Sequence, residues 1–190
     1  QWPHTSYMMP GGVVCDPTLL ELSSMQNYMD SAIRFFEKSI AGVPFDKYLT
    51  FDSVNDLDLL GADLKYFKDL SFKNSLEKYG KSYDRFISLG SSFLFESGKI
   101  KQRLAHKLDL SKIKESSEHT FLVLDDKFDN KKTTWSKSVS YDNDFFETGP
   151  LARAMISNRK FIKDIHKSYK DSSFTRIMAR IDELAFLLEN

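Results

Sequence analysis

Between Trp135 and Arg153 the chain gathers an indole, an ammonium group, a phenol, a carboxylate and a guanidinium on one short stretch. These are Trp135, Lys137 and Tyr141, then Glu147, then Gly149-Pro150-Leu151-Ala152-Arg153. Proline lacks an N–H and fits the first position of a helix, so Pro150 reads as a helix start with Gly149 or Thr148 as its cap. A carboxylate just ahead of such a start is stabilised by the helix dipole, which makes capping one role for Glu147. Proton relay is the sharper alternative, since a positioned carboxylate can exchange protons with a reacting group. A second group of residues sits near the other end. There Trp2-Pro3-His4-Thr5 is followed by Gly11-Gly12-Val13 and then Cys15. An imidazole titrating near neutrality can orient a ligand or pass a proton, although a histidine beside a proline also reads as a plain turn residue. Cys15 lies among apolar residues and reads as a small buried hydrophobe. His106, His119 and His166 are scattered without metal-ligand spacing, and Asp125, Asp126 and Asp129 lack the glycine and distal glutamate of a calcium loop.

Composition narrows the classes. Lysine plus arginine equals aspartate plus glutamate, 27 each, so formal charge is zero. That argues against a nucleic-acid binder, which would carry a clustered basic excess. One cysteine cannot form an internal disulfide or a cysteine-rich zinc or iron-sulfur site. Hydrophobic residues make up 41% and charged residues 28% of the 190 positions, as in an ordinary globular protein. At this length a single domain spanning 1–190 buries roughly 70% of the surface its unfolded chain exposes. No apolar run reaches membrane-spanning length. Location stays open between a membrane-associated complex and the cytoplasm. Gln1 and a helical pattern that runs on to Asn190 are the marks expected of a piece of a longer chain.

The elements that must position these residues are mostly helical. Asp16-Pro17 predicts a helix start. From there Leu19, Leu22, Met25, Met29, Ile33, Phe36 and Ile40 recur at three- and four-residue spacing up to Gly42. Before it, Tyr7 to Val14 reads as an extended segment turning at Pro10-Gly11-Gly12. Residues 43–80 suggest helix broken at Gly61, with a further short helix from Asn74 to Tyr79. Arg85 to Phe95 reads as a pair of short strands around Gly90-Ser91-Ser92, Lys101 to Ser117 as one or two helical turns, and Asp125 to Thr134 as a solvated loop. One helix is expected from Pro150 through Ile165 and another after Asp171-Ser172-Ser173. The expected fold class is α+β, predominantly α-helical, with short strands.

The Trp135-x-Lys137-x-x-x-Tyr141 element followed by Glu147-x-Gly149-Pro150-Leu151-Ala152 resembles a motif of the large subunit of nickel-iron hydrogenases. Trp2-Pro3-His4-Thr5 with Gly11-Gly12-Val13 resembles that family's Asn-Pro-His segment and the Gly-Gly-Val-Thr that follows it. Ser172 to Glu183 is similar to its Ser-x-x-x-Arg-x-x-Ala-Arg-x-x-Glu helix. There are departures: Trp2 stands in place of asparagine, and Ser138-Val139-Ser140 in place of Ala-Pro-Arg.

The resemblance implies a central segment of that subunit, whose nickel-iron centre splits dihydrogen or makes it. Two Cys-x-x-Cys pairs hold the nickel in the family, and neither is present here. The centre is therefore expected only in the intact parent enzyme, and this segment is expected to be inactive alone. His4 corresponds to a histidine close to the metal, while Cys15 matches a position that is not a nickel ligand and Arg153 is not the family's arginine near the metal. The implied partners are the iron-sulfur small subunit and the remainder of the large subunit, and the segment by itself is expected to self-associate. The alternative is a non-catalytic helical interaction module, or a hydrogenase-like subunit of a redox complex that has lost its cysteines.

Overall fold

In the computed structural model of the chain the described residues are 8–9, 12–13, 18–90, 94–121 and 134–190. A minimal antiparallel ladder comes first, β1 (Met8–Met9) against β2 (Gly12–Val13). Helix α1 (Leu19–Phe35) starts at Thr18. Asp16-Pro17 lies outside the described residues, and the cap is a reciprocal box in which Thr18 Oγ1 accepts from Glu21 N–H while Glu21 accepts from Thr18 N–H. The Thr18 and Glu21 amides, two of the four orphan donors at a helix start, are satisfied at once, so the start falls there.

The helix continues through a π-helical turn, Phe36–Ala41, and stops at Gly42 in the left-handed region. Short helix α2 (Phe45–Leu49) and a 3₁₀ turn at Val54–Asp58 lead to α3 (Ala62–Lys73). The break falls at Gly61, whose N–H donates to Ala41 O at 2.8 Å. There the two backbones touch, since a Cβ on Gly42 would lie 2.5 Å from the Gly61 carbonyl carbon. Residues 74–80 are a run of turns rather than the helix expected from Asn74 to Tyr79, because Asn74 caps α3 and Ser75 takes a positive φ.

The middle of the chain departs most from the pattern. Strand β3 (Phe86–Ser88) is present, but its partner is β4 (Gly98–Lys101), which turns back into β5 (Leu104–His106). Lys101 to Ser117 is therefore strand and hairpin with one 3₁₀ turn at Leu110–Lys112, not helix. β6 (Ile113–Ser116) pairs antiparallel with β7 (Ser138–Tyr141), and most of the loop expected from Asp125 to Thr134 lies outside the described residues.

The last third is helical. α4 (Pro150–Ile156) and α5 (Lys160–Tyr169) are separated at Ser157–Arg159, where Asn158 adopts φ +58°, so the single helix expected from Pro150 is two. Asparagine tolerates the left-handed conformation that ends a helix. α6 (Ser173–Glu189) opens on Ser172, whose hydroxyl accepts from Thr175 N–H. The fold class is α+β with helices predominating.

One core joins these pieces. Phe36, Phe45, Tyr48, Phe51 and Phe161 pack ring against ring, edge to face for Phe36–Tyr48 and Phe36–Phe45 with centroids 5.0 and 5.7 Å apart. Ile162, Ile165, Phe174 and Met178 fill the space between α5 and α6. Helix α1 is the exception: none of its residues is buried, and Leu19 and Met25 are 86% and 60% exposed. No helix of the described residues is long and apolar enough to cross a membrane. Because the Gly42 contact is backbone to backbone at positive φ, Gly42→Ala is expected to cost about 2 to 3 kcal/mol of stability, measured by urea denaturation.

Candidate functional site

Glu147 is fixed by its backbone before its side chain is considered. Its N–H donates to Arg85 O at 2.8 Å and its carbonyl accepts from Ile87 N–H at 2.9 Å, so residue 147 lies parallel to β3 like one residue of an extra strand. Two residues later Gly149 turns the chain at φ +99°, and Pro150 occupies the first position of α4.

The Glu147 carboxylate does not cap that helix. It receives two parallel bonds from Arg176 of α6, Nε to Oε1 at 2.6 Å and Nη2 to Oε2 at 2.7 Å. A fork of this geometry outcompetes single amide donors. Arg176 also donates to Gly80 O and, at 3.2 Å, to Ser82 Oγ. Ser82 in turn donates through Oγ and N–H to Asp171 Oδ2, at 2.6 and 2.8 Å. Gly80 is held against α6, because a Cβ there would sit 2.5 Å from Ser173 Oγ. Burial pushes the Asp171 carboxyl up, but the bonds from Ser82 and the Asp84 amide outweigh it and hold the group below the ordinary aspartate value of 3.8.

Arg153 points to a different place. It forms a fork with Glu183, both bonds 2.7 Å, and its guanidinium lies 5.2 Å from the Phe95 ring. One turn on, Arg159 forms a second fork with buried Asp182, at 2.9 and 3.0 Å, against Phe186. The two forks line a cavity of about 750 Å³. Tyr48, buried near Asp182, has its phenol pushed well above 10 by burial.

Trp135, Lys137 and Tyr141 do not act as one cluster. Trp135 is exposed against Phe121, with centroids 5.4 Å apart, while Lys137 pairs with Glu115 across the hairpin at 2.8 Å. Tyr141 is buried, and its hydroxyl accepts from Asp109 N–H at 3.1 Å. Gly12 lies in β2; His4, Gly11 and Cys15 fall outside the described residues. The residues that organise the site, Ser82, Asp171 and Arg176, have only weak marks in the sequence. Asp171-Ser172-Ser173 is visible as a helix start, and Arg176 as a charged position on an amphipathic helix.

This arrangement matches solved hydrogenases. The nickel-iron-selenium hydrogenase of Desulfovibrio vulgaris Hildenborough in its reduced state superposes with a TM-score of 0.71 at 19% identity, covering 98% of this chain. That of Desulfomicrobium baculatum superposes at 0.69 with 18% identity, again over 98% of the chain. The chain has the fold of part of a nickel-iron-selenium hydrogenase. It spans 42% of the length of those hydrogenase chains. No protein-family model matches the sequence, and no curated protein matches it. Among the described residues of this hydrogenase-like fold, no group of three or more histidine, cysteine, aspartate or glutamate side chains is placed to hold a metal ion.

Two outcomes follow from the Arg176 network. Arg176→Met leaves the largely buried Glu147 unpaired; with Arg176 itself 31% exposed, the expected loss is about 2 kcal/mol by chemical denaturation. Because the Asp171 value is lowered on folding, its contribution is complete above pH 3.8 and is lost as pH falls through the folded value. Ser82→Ala is therefore expected to cost about 1 to 2 kcal/mol at neutral pH and to flatten the acid limb of the stability curve.

Proposed function

We propose that residues 1–190 are the central portion of a nickel-iron hydrogenase large subunit, forming part of the wall around its metal centre and part of the surface that meets an iron-sulfur small subunit. The observation that carries this is a fold shared with hydrogenases over 98% of the chain, at a length that is 42% of theirs. The Trp135–Arg153 and Trp2–Val13 motifs support it independently of the superposition. The bare apolar side of α1 supports it too, because such a face needs an apolar cover, and the rest of a large subunit would supply one.

A nickel-iron centre does not fit the residues of this chain. Its nickel requires several soft thiolate ligands, and the sequence offers Cys15 alone. In this reading the segment is inactive alone, and the thiolates come from outside it. His4 stands near the centre in the intact enzyme. Gly11 and Gly12 belong to the same motif as His4, and Gly149 and Pro150 set the start of α4.

The same lone thiol favours a second reading, a hydrogenase-like subunit of a redox complex, or a helical interaction module, that performs no hydrogen chemistry. The parent reading frame separates the two, since Cys-x-x-Cys on both flanks supports the enzyme and cysteine-free flanks support the alternative. For the 190-residue chain, elemental analysis is expected to find far less than one nickel or iron per molecule, and stoichiometric metal would overturn the assignment. Size-exclusion chromatography is expected to show self-association that is relieved by Leu19→Glu together with Met25→Glu.

A further inference from the structure

A cleft of about 920 Å³ opens between the β4–β5 hairpin and α5, within the size range of small-molecule sites. Lys99, Arg103 and Lys107 line it from the hairpin side, and Lys163, Lys167 and Lys170 from α5. Against these six cations stand two carboxylates, Asp84 and Glu96. The chain as a whole is neutral, 27 basic residues against 27 acidic, so this excess is a local concentration of charge.

Most of that charge is uncommitted. Lys163 bonds a neutral amide, Asn158 Oδ1 at 2.7 Å, and Lys99 rests over the Tyr141 ring at 4.5 Å. Lys167 is paired locally with Asp164 at 3.0 Å. Among the described residues, no side-chain hydrogen bond or ion pair engages Arg103, Lys107 or Lys170. Lys163 and Lys167 lie one turn apart on α5 and Lys170 follows at its C-cap, where like charges repel one another unless a counter-charge is supplied. Arg103 is carried to the cleft on a two-residue hairpin turn with φ +53° at Gln102 and +64° at Arg103. That turn normally selects asparagine and glycine.

The second observation is His166, which also lines the cleft. It is 7% exposed, packs edge-on against Phe86 at 5.4 Å, and its Nε2 lies 3.0 Å from Asp84 Oδ1, which holds the ring in place at the cleft wall.

We propose that this cleft binds an organic polyphosphate, its phosphate oxygens held by the hairpin and α5 cations and its organic body laid against Phe86, Met155 and Ile156, with His166 at the inner end. The size of the cleft and its apolar floor favour a small molecule over an acidic peptide. The inference is independent of the hydrogenase reading.

Isothermal titration calorimetry on the complete protein tests it, with ATP, inorganic triphosphate and hexaglutamate as probes. ATP is expected to bind more tightly than triphosphate. The Arg103→Gln, Lys170→Gln variant is expected to weaken ATP by about tenfold or more, as is His166→Gln, with thermal unfolding checked for each. The Lys47→Gln, Lys73→Gln variant makes the same charge change outside the cleft and should leave affinity unchanged. The proposal is overturned by absence of ATP binding at millimolar concentration, by equal weakening in the control variant, or by hexaglutamate binding where ATP does not.

Discussion

One guanidinium holds together three stretches that are far apart in the sequence. Arg176, in the first turn of α6, reaches the Gly80 carbonyl, the Ser82 hydroxyl and the Glu147 carboxylate together. Gly80 and Ser82 lie on the one approach to β3 and Glu147 on the segment that opens α4, so with α6 itself three stretches are joined. Apolar packing can hold such layers in contact but does not specify their register, because it is non-directional. The fork at Glu147 is directional. It ties α6 to the Glu147 segment that pairs with β3. Removing Arg176 leaves the Glu147 carboxylate in a place that water reaches poorly.

The sequence marks what is local. Gly42 ends a helix because it alone takes the left-handed conformation cheaply, Gly149-Pro150 begins one, and Ser172 caps one, and each of these is written in two or three adjacent residues. The start of α1 is also local, in Thr18 and Glu21, although Asp16-Pro17 offers a competing signal. The β4–β5 hairpin is illegible for a physical reason. Gly98–Lys101 carries two lysines and a glycine, and its turn is Gln102-Arg103, so neither strand propensity nor turn chemistry announces it. Pairing with buried β3 creates the strand. The forks at Glu147, Arg153 and Arg159 are equally hidden, since their partners lie 23 to 30 residues away and nothing in spacing points from one to the other. Trp135, Lys137 and Tyr141 show the converse: closeness in sequence gave an expectation of one cluster, and strand geometry dispersed it.

Charge in this protein is arranged rather than abundant. Arginine is used where a carboxylate must be gripped in two places, at 153, 159 and 176, and the planar group suits that task. Lysine gathers on the solvent side of α5, where a point charge on a flexible stem can follow whatever anion approaches. A net charge of zero thus conceals a committed interior and an uncommitted flank.

Helix α1 has a consequence for the order of events. Its capping box starts it and Ile33 packs against the core, while Leu19 and Met25 on its apolar flank stay exposed. The core around Phe36, Tyr48 and Phe174 is packed without that flank, which leaves α1 as a handle still to be covered. Whatever grips that handle arrives at a scaffold already finished, and the free energy of closure is released late, as a docking event rather than as part of the collapse.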